Sequence, residues 1–507
     1  MYLRSFPGRS HVIERPTMPS ALTRALLALL LSSAIDVAAA SSGPEAVVAS
    51  DKVFADGFDN FYFVVPYSID GSLPPSPASR KFSLSTQLQD VDVGFIIGTN
   101  GSMGSEIAAV KNNLSVVIPS LKALVPSVGI GIAAFDDVPY STFGTTGDLP
   151  FYFPASPQGY VTTVSADSQA AANALATHNG SDFPASQLPA IYHALAGGSI
   201  DWPTGSVAPE SPPPGTFGAM HFRSGALAIV VNVTDATQHN GKRALDKSGT
   251  SYDAAFQNAY SFATWNADDA VAQINAAGAK FVGVAADNGV RGVGTADPYG
   301  YLAYLTDKTS SNVTADVLTH GAACTATQCC TGINGAGVAA DGPGGSCRSV
   351  YSINTNGAGL AAAIDNGVAA VLDSVRFDVY VQAYNDPAES IDVVDNFMLK
   401  IEPDPSGGTD PANSSVCVTI PPAQLADNFT GPKAVAGADG INDTISQSDL
   451  ASLYCFNVTP KANSTVPATA APQVFRAWLR ILAVKPGGSP ILGQDRAIFF
   501  LVPPGGT

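Results

Sequence analysis

The sequence predicts a parallel α/β sheet wound with helices on both faces, followed by an antiparallel β-sandwich. Three observations predict it. Between about residues 83 and 375, nearly continuous apolar runs alternate with stretches whose apolar residues recur at spacings of three and four. Such runs are strands buried on both faces, and such stretches are amphipathic helices, so the alternation implies a doubly wound sheet. Beyond about residue 375 the pattern changes to strict alternation separated by turn-rich gaps, which indicates half-buried antiparallel strands.

The elements follow in order. Arg4, Arg9, Arg15 and Arg24 precede the apolar run Ala25–Ala34, and Ala38-Ala39-Ala40 offers a small-residue cleavage site. Residues 1–40 therefore read as a signal peptide, because the run is too short to span a bilayer. No later run is long and apolar enough for a transmembrane segment. Residues 41–82 read as a linker with one strand at Phe61–Val65 and a Pro/Ser-rich connector at Leu73–Ser79.

The α/β domain is placed at 83–375. Its first strand, Val91–Ile97, breaks into Gly98-Thr99-Asn100-Gly101-Ser102, small residues suited to a tight turn. Ile107, Val110, Leu114, Val117 and Leu121 then give one apolar helix face. This order puts a polar loop at the carboxyl end of a parallel strand, the edge where open α/β sheets bind ligands. Further strands are expected at Val128–Phe135, Ala226–Val233 and Lys280–Ala286. Helices are expected at Ser168–Thr177, Gln187–Ala196, Tyr252–Phe262 and Asp268–Ala277, the last closed by Gly278. Asp136-Asp137, just past the second strand, reads as a solvated turn.

Cys324, Cys329, Cys330 and Cys347 share a Gly-rich loop over 321–350, and Cys417 and Cys455 lie downstream. An even count in an exported chain reads as disulfides, with Cys417 paired to Cys455 and the other four among themselves. A zinc site is the rival reading, disfavoured because only His320 is near. Residues 376–507 form the sandwich, from Phe377–Ala383 to a last strand at Ala497–Val502 that Pro503-Pro504 stops.

Three segments resemble the von Willebrand factor A family, in its integrin-β-like branch. Gly98-Thr99-Asn100-Gly101-Ser102 is similar to the Asp-x-Ser/Thr-x-Ser motif of the metal-ion-dependent adhesion site. Thr234-Asp235-Ala236-Thr237-Gln238-His239 is similar to Thr-Asp-Ala-x-x-His. Asp182-Phe183-Pro184-Ala185 is similar to Asp-x-Pro-Glu. The resemblance implies a von Willebrand A, Rossmann-like fold and a divalent cation at the top of the sheet. Its metal set here is Asn100, Ser102, Asp235, Asp182 and Glu106. The ligand-facing surface it implies comprises Thr99, Asn100, Ser102, Asp235 and His239. Gly98 and Ala185 stand where the family has acids, so the resemblance implies a degenerate site, with Mg²⁺ or Ca²⁺ bound weakly or not at all. Ser102 and Asp235 also suit plain loop and capping roles, and a packed role suits His239. The Cys loop and the β region together look like a group of exported bacterial proteins of this family. Lys52–Phe58 resembles a segment near the start of many exported Gram-negative proteins.

The net charge of −17 repels phosphate backbones and argues against a nucleic-acid partner. There is no Gly-x-Ser-x-Gly, His-Glu-x-x-His or Gly-Lys-Ser/Thr motif. The sequence therefore points to a secreted or cell-surface protein that binds an extracellular protein or surface ligand and is not an enzyme. A structural surface component is the alternative, and a secreted hydrolase the third reading.

Overall fold

Four of the apolar runs become neighbouring strands of one parallel sheet. The computed structural model describes residues 62–240, 265–292, 297–449, 452–484 and 491–505. The expected signal peptide and the expected helix at Tyr252–Phe262 lie outside them. The strands are β1 (Tyr62–Val64), β2 (Arg80–Ser85), β3 (Asp90–Gly98), β4 (Ser127–Phe135), β5 (Leu227–Thr234), β6 (Lys280–Ala286) and β7 (Val350–Ile353). Strands β3 to β7 pair all-parallel in the order β7-β6-β5-β3-β4. Phe95 of β3 stands between Ile132 of β4 and Val231 of β5. The chain leaves β3 towards β4 and then returns to the other side as β5. The loops after β3 and β5 therefore part, which opens a crevice at the carboxyl edge.

Helices cover both faces of this sheet. Successive strand residues point to opposite sides. Val93, Phe95 and Ile97 share one apolar cluster with Ile107, Val110, Leu114, Val117 and Leu121 of α1 (Gly104–Leu124). Ala171 and Ala172 of α2 (Ser165–Asn173) belong to the same cluster. Ile96, Val230 and Phe281 belong to a second cluster. It contains Leu188 and Ile191 of α3 (Gln187–Ala196), Ile274 of α4 (Ala267–Ala276) and Leu302 of α5 (Tyr299–Lys308). Helix α6 (Leu360–Ser374) lies on the α1 side. Each buried Val, Leu, Ile or Phe among them contributes about 1.5–3 kcal/mol by leaving water. Gly278 has φ 58°, the left-handed cap that its place after α4 requires.

Glycines inside β3 and β4 make room for one hairpin, Thr216–Phe217 against Phe222–Arg223. A Cβ at Gly94 would lie 2.5 Å from the Phe222 ring, and one at Gly129 would lie 2.4 Å from Asp92 Oδ1. The hairpin thereby delivers Arg223 to the amino edge of the sheet. Its guanidinium donates to Asp92 Oδ1 (2.6 and 2.8 Å), Asp90 Oδ1 (2.6 Å), Ser127 Oγ (2.8 Å) and Val91 O (3.1 Å).

The C-terminal strands are β8 (Arg376–Asn385), β9 (Met398–Pro403), β10 (Leu425–Ala426), β11 (Thr444–Asp449), β12 (Leu453–Pro460), β13 (Gln473–Val484) and β14 (Ile491–Val502). They form a sheet in the order β1-β14-β13-β8-β11-β10 and a second in the order β9-β12-β2. Residues 62–85, read from the sequence mostly as a linker, thus supply a strand to each sheet. Tyr62 pairs with Phe499, and Phe82 with Phe456. Phe63, Phe82 and Leu84 are buried there. The α/β segment is an insertion between β2 and β8. The six cysteines form Cys324–Cys330, Cys329–Cys347 and Cys417–Cys455. Among the described residues, no helix is long and apolar enough to cross a membrane.

Candidate functional site

The polar loop after β3 turns over a short 3-10 helix, Gly101–Met103, directly into α1. Asn100, Gly101 and Ser102 form one wall of a cleft of about 260 Å³ at the carboxyl edge. Asn179, Ser181, Asp182 and Phe183 form another wall, and Asp235-Ala236, just past β5, complete it. The structure thus brings together four of the five expected metal ligands on one surface. The fifth, Glu106, is fully buried in the first turn of α1, where the Asp235 charge acts on it.

Several of these oxygens lack what buried oxygens normally have. Among the described residues, Asn100 Oδ1, Asp235 Oδ1 and both carboxylate oxygens of Glu106 have no hydrogen-bond partner. Buried polar atoms are ordinarily paired. Burial pushes the Glu106 carboxyl up to about 7, with the Asp235 charge adding to the rise. Burial also raises Asp235 above the usual carboxylate range, against the pull of the Ser102 hydroxyl that donates to it. Among the described residues, no Lys or Arg lines the cleft.

The two departures from the family motif have physical occupants. Gly98 ends β3 in a fully buried position, and a Cβ there would lie 3.2 Å from the Phe135 ring and 3.5 Å from Val233 O. Phe135 thus crowds the point from which an acidic side chain would start. Ala185 is 1% exposed, and its backbone N–H donates to Thr237 O at 2.9 Å.

Thr99 and His239, expected on the ligand-facing surface, are both buried. The Thr99 hydroxyl donates to Phe135 O at 2.9 Å and lies against Asp136. His239 Nε2 meets Asp137 Oδ2 at 3.0 Å and Asp182 Oδ1 at 3.4 Å. Burial alone would lower its pKa, but the Asp137 and Asp182 carboxylates outweigh that and raise it to about 9. His239 is therefore a cation clasped between two loops, consistent with the packed role.

Asp136 and Asp137 are not a solvated turn, since they are 0% and 1% exposed. They diverge. Asp137 accepts from Ser186 Oγ (2.8 Å) and the Val138 N–H (2.7 Å) and faces His239. Asp136 faces His178, with Nδ1 to Oδ2 at 2.5 Å. The sequence reading missed Asp148 and His178. Only the Asp-Asp pair at a strand end signalled them, because the histidines that meet it lie 42 and 102 residues away. His320, Cys324 and Cys330 also lie close together, but both sulfurs are tied up in a disulfide.

No protein-family model matches the chain, and no curated protein matches it. Solved structures similar to it include a von Willebrand factor type A protein from Catenulispora acidiphila. That likeness has 12% identity and a TM-score of 0.29, covering 87% of this chain and 71% of that one. Two forms of the pilus adhesin SpaC from Lactobacillus rhamnosus GG are also similar. The open conformation has 11% identity and a TM-score of 0.28, over 83% of this chain and 45% of that one. The second has 10% identity and a TM-score of 0.30, over 83% and 46%. This chain spans less than half the length of the adhesin chains, and scores this low leave the chemistry of the site to be argued from its own residues.

Proposed function

We propose that the chain is an exported, non-enzymatic binding protein of the integrin-β-like von Willebrand A type. Its carboxyl-edge cleft is a weakened cation-assisted adhesion site. The observation that carries the reading is the set of unpartnered oxygens, from Asn100, Asp235 and Glu106, in and behind a cleft that no basic residue lines among the described residues. All are hard donors, the chemistry that Mg²⁺ and Ca²⁺ select. Asn100, Ser102 and Asp235 would hold the ion, with Asp182 and Glu106 as flanking acids. A bound ion would supply a positive centre for an acidic group of an extracellular partner. Three disulfides fit the oxidising compartment in which such a partner is met. The lack of a side-chain oxygen at Gly98 and Ala185 favours Ca²⁺, which accepts looser geometry, over Mg²⁺. It also supports a second reading, a surface scaffold without metal.

Thermal unfolding with chelator, then with Mg²⁺, Mn²⁺ and Ca²⁺ in turn, separates the two. A site that binds only the folded state adds about 2.7 kcal/mol at a hundredfold excess over Kd. The expected result is a rise in midpoint with Ca²⁺ that Asp235→Ala abolishes. No rise with any cation leaves the scaffold reading.

A further inference from the structure

Behind one wall of the cleft lies a second cluster that the proposed function does not use. Asp136 follows β4, Asp148 lies in the next loop, and His178 follows α2. Each offers one ligand atom, and the three atoms lie within 4.8 Å of one another. Both carboxylates are buried, at 0% and 2% exposure. Among the described residues, their hydrogen-bond partners are Thr99, Thr145, the Leu149 N–H and His178, with no Lys or Arg. Buried carboxylates are ordinarily paired with cations or coordinate metals.

We propose that Asp136, Asp148 and His178 form a binding site for a divalent transition metal of the zinc class, separate from the oxygen-lined cleft. One imidazole with two carboxylates is a donor set that Zn²⁺ accepts, whereas Mg²⁺ and Ca²⁺ prefer oxygen alone. The supporting layer of hydrogen bonds is already present. Thr99 contacts the second oxygen of Asp136, and Tyr152 donates to Thr99 at 2.9 Å. The Thr145 N–H and hydroxyl hold Asp148 Oδ2 at 2.5 and 3.0 Å. The Tyr152 ring stacks on His178, with centroids 5.3 Å apart. Such outer partners orient metal ligands and fix the imidazole. His178 is the open side, with 36% of its side chain exposed, and gives an entry path. Tetrahedral ligands on bonds of about 2.0–2.2 Å stand roughly 3.3 Å apart. The 2.5 Å His178–Asp136 contact therefore has to open by less than about 1 Å.

An ion there pins the cleft wall. The His178 N–H donates to Thr99 O at 2.7 Å, and Asn179 and Ser181, which follow it, line the cleft. The test is calorimetric titration of the purified, disulfide-intact chain with Zn²⁺, and visible absorption with Co²⁺. One saturable equivalent is expected, and Co²⁺ should show the d–d bands of a low-coordinate N/O site. His178→Gln and Asp148→Asn should each weaken Zn²⁺ at least a hundredfold, and Asp235→Ala should leave it unchanged. If His178→Gln lowers the metal-free thermal midpoint, Asp148→Asn decides. Absence of a saturable equivalent overturns the proposal. So does zinc kept by His178→Gln and lost by His239→Gln, which would place the ion between Asp137 and Asp182.

Discussion

Arg223→Ala should destabilise the chain by about 3–5 kcal/mol, read as a lower urea midpoint with unchanged slope. The pair it breaks is not itself the source of so large an effect. Burial raises Asp92 above the usual carboxylate range even with Arg223 beside it, so desolvation outweighs the attraction. The cost arises because the variant leaves that carboxylate buried without a counter-charge, held only by the backbone N–H of residue 223 at 2.6 Å. Replacing both partners, as Asp92→Leu with Arg223→Met, should therefore recover most of the loss. A single variant that costs less than about 1 kcal/mol would show that water reaches Asp92 and replaces the guanidinium. Asp92 is six residues from Gly98 along β3, about 20 Å at strand rise. Any cation-induced rise in midpoint should survive in the variant.

Glu106→Gln should stabilise the metal-free protein at pH 8 by about 3 kcal/mol and leave it nearly unchanged at pH 4. The folded carboxyl titrates at about 7 against an ordinary 4.5, so the folded state holds its proton more tightly than the unfolded chain. Wild-type stability from this group is therefore full below about pH 4.5 and falls as pH rises through 7. The glutamine cannot ionise and should flatten that slope. The measurement is the thermal midpoint from pH 4 to 8 in chelator. A slope that persists in Glu106→Gln would move the effect to another buried acid. With a cation present the preference reverses, since the ion favours the charged carboxylate and the glutamine should weaken it.

Much of the α/β domain was legible because its elements are defined locally. Lys280–Ala286 and Gln187–Ala196 fall on the expected residues, each bounded by a run of apolar side chains and a glycine. The second expected helix begins three residues earlier and ends four earlier, at Ser165–Asn173, since small residues mark no sharp boundary. Strand β2 was not legible, because its partner lies about 370 residues away and nothing local announces it. The candidate cleft was visible as spaced oxygens at strand ends. The burial of Asp136 and Asp137 was not, for it depends on histidines delivered by later loops. Nor could a motif comparison show that Phe135 occupies the space beside Gly98.

The insertion of the α/β domain between β2 and β8 has a mechanical meaning. The chain enters at Asp90 and leaves after Ser374, while the cleft opens at the opposite, carboxyl edge. Tension applied by anything gripped in the cleft runs along β3 and β5 and divides between two covalent tethers. One tether is anchored through β2 to β12, and the other through β8 to β13 and β11. Neither sheet can be peeled from a free chain end by a pull at that point.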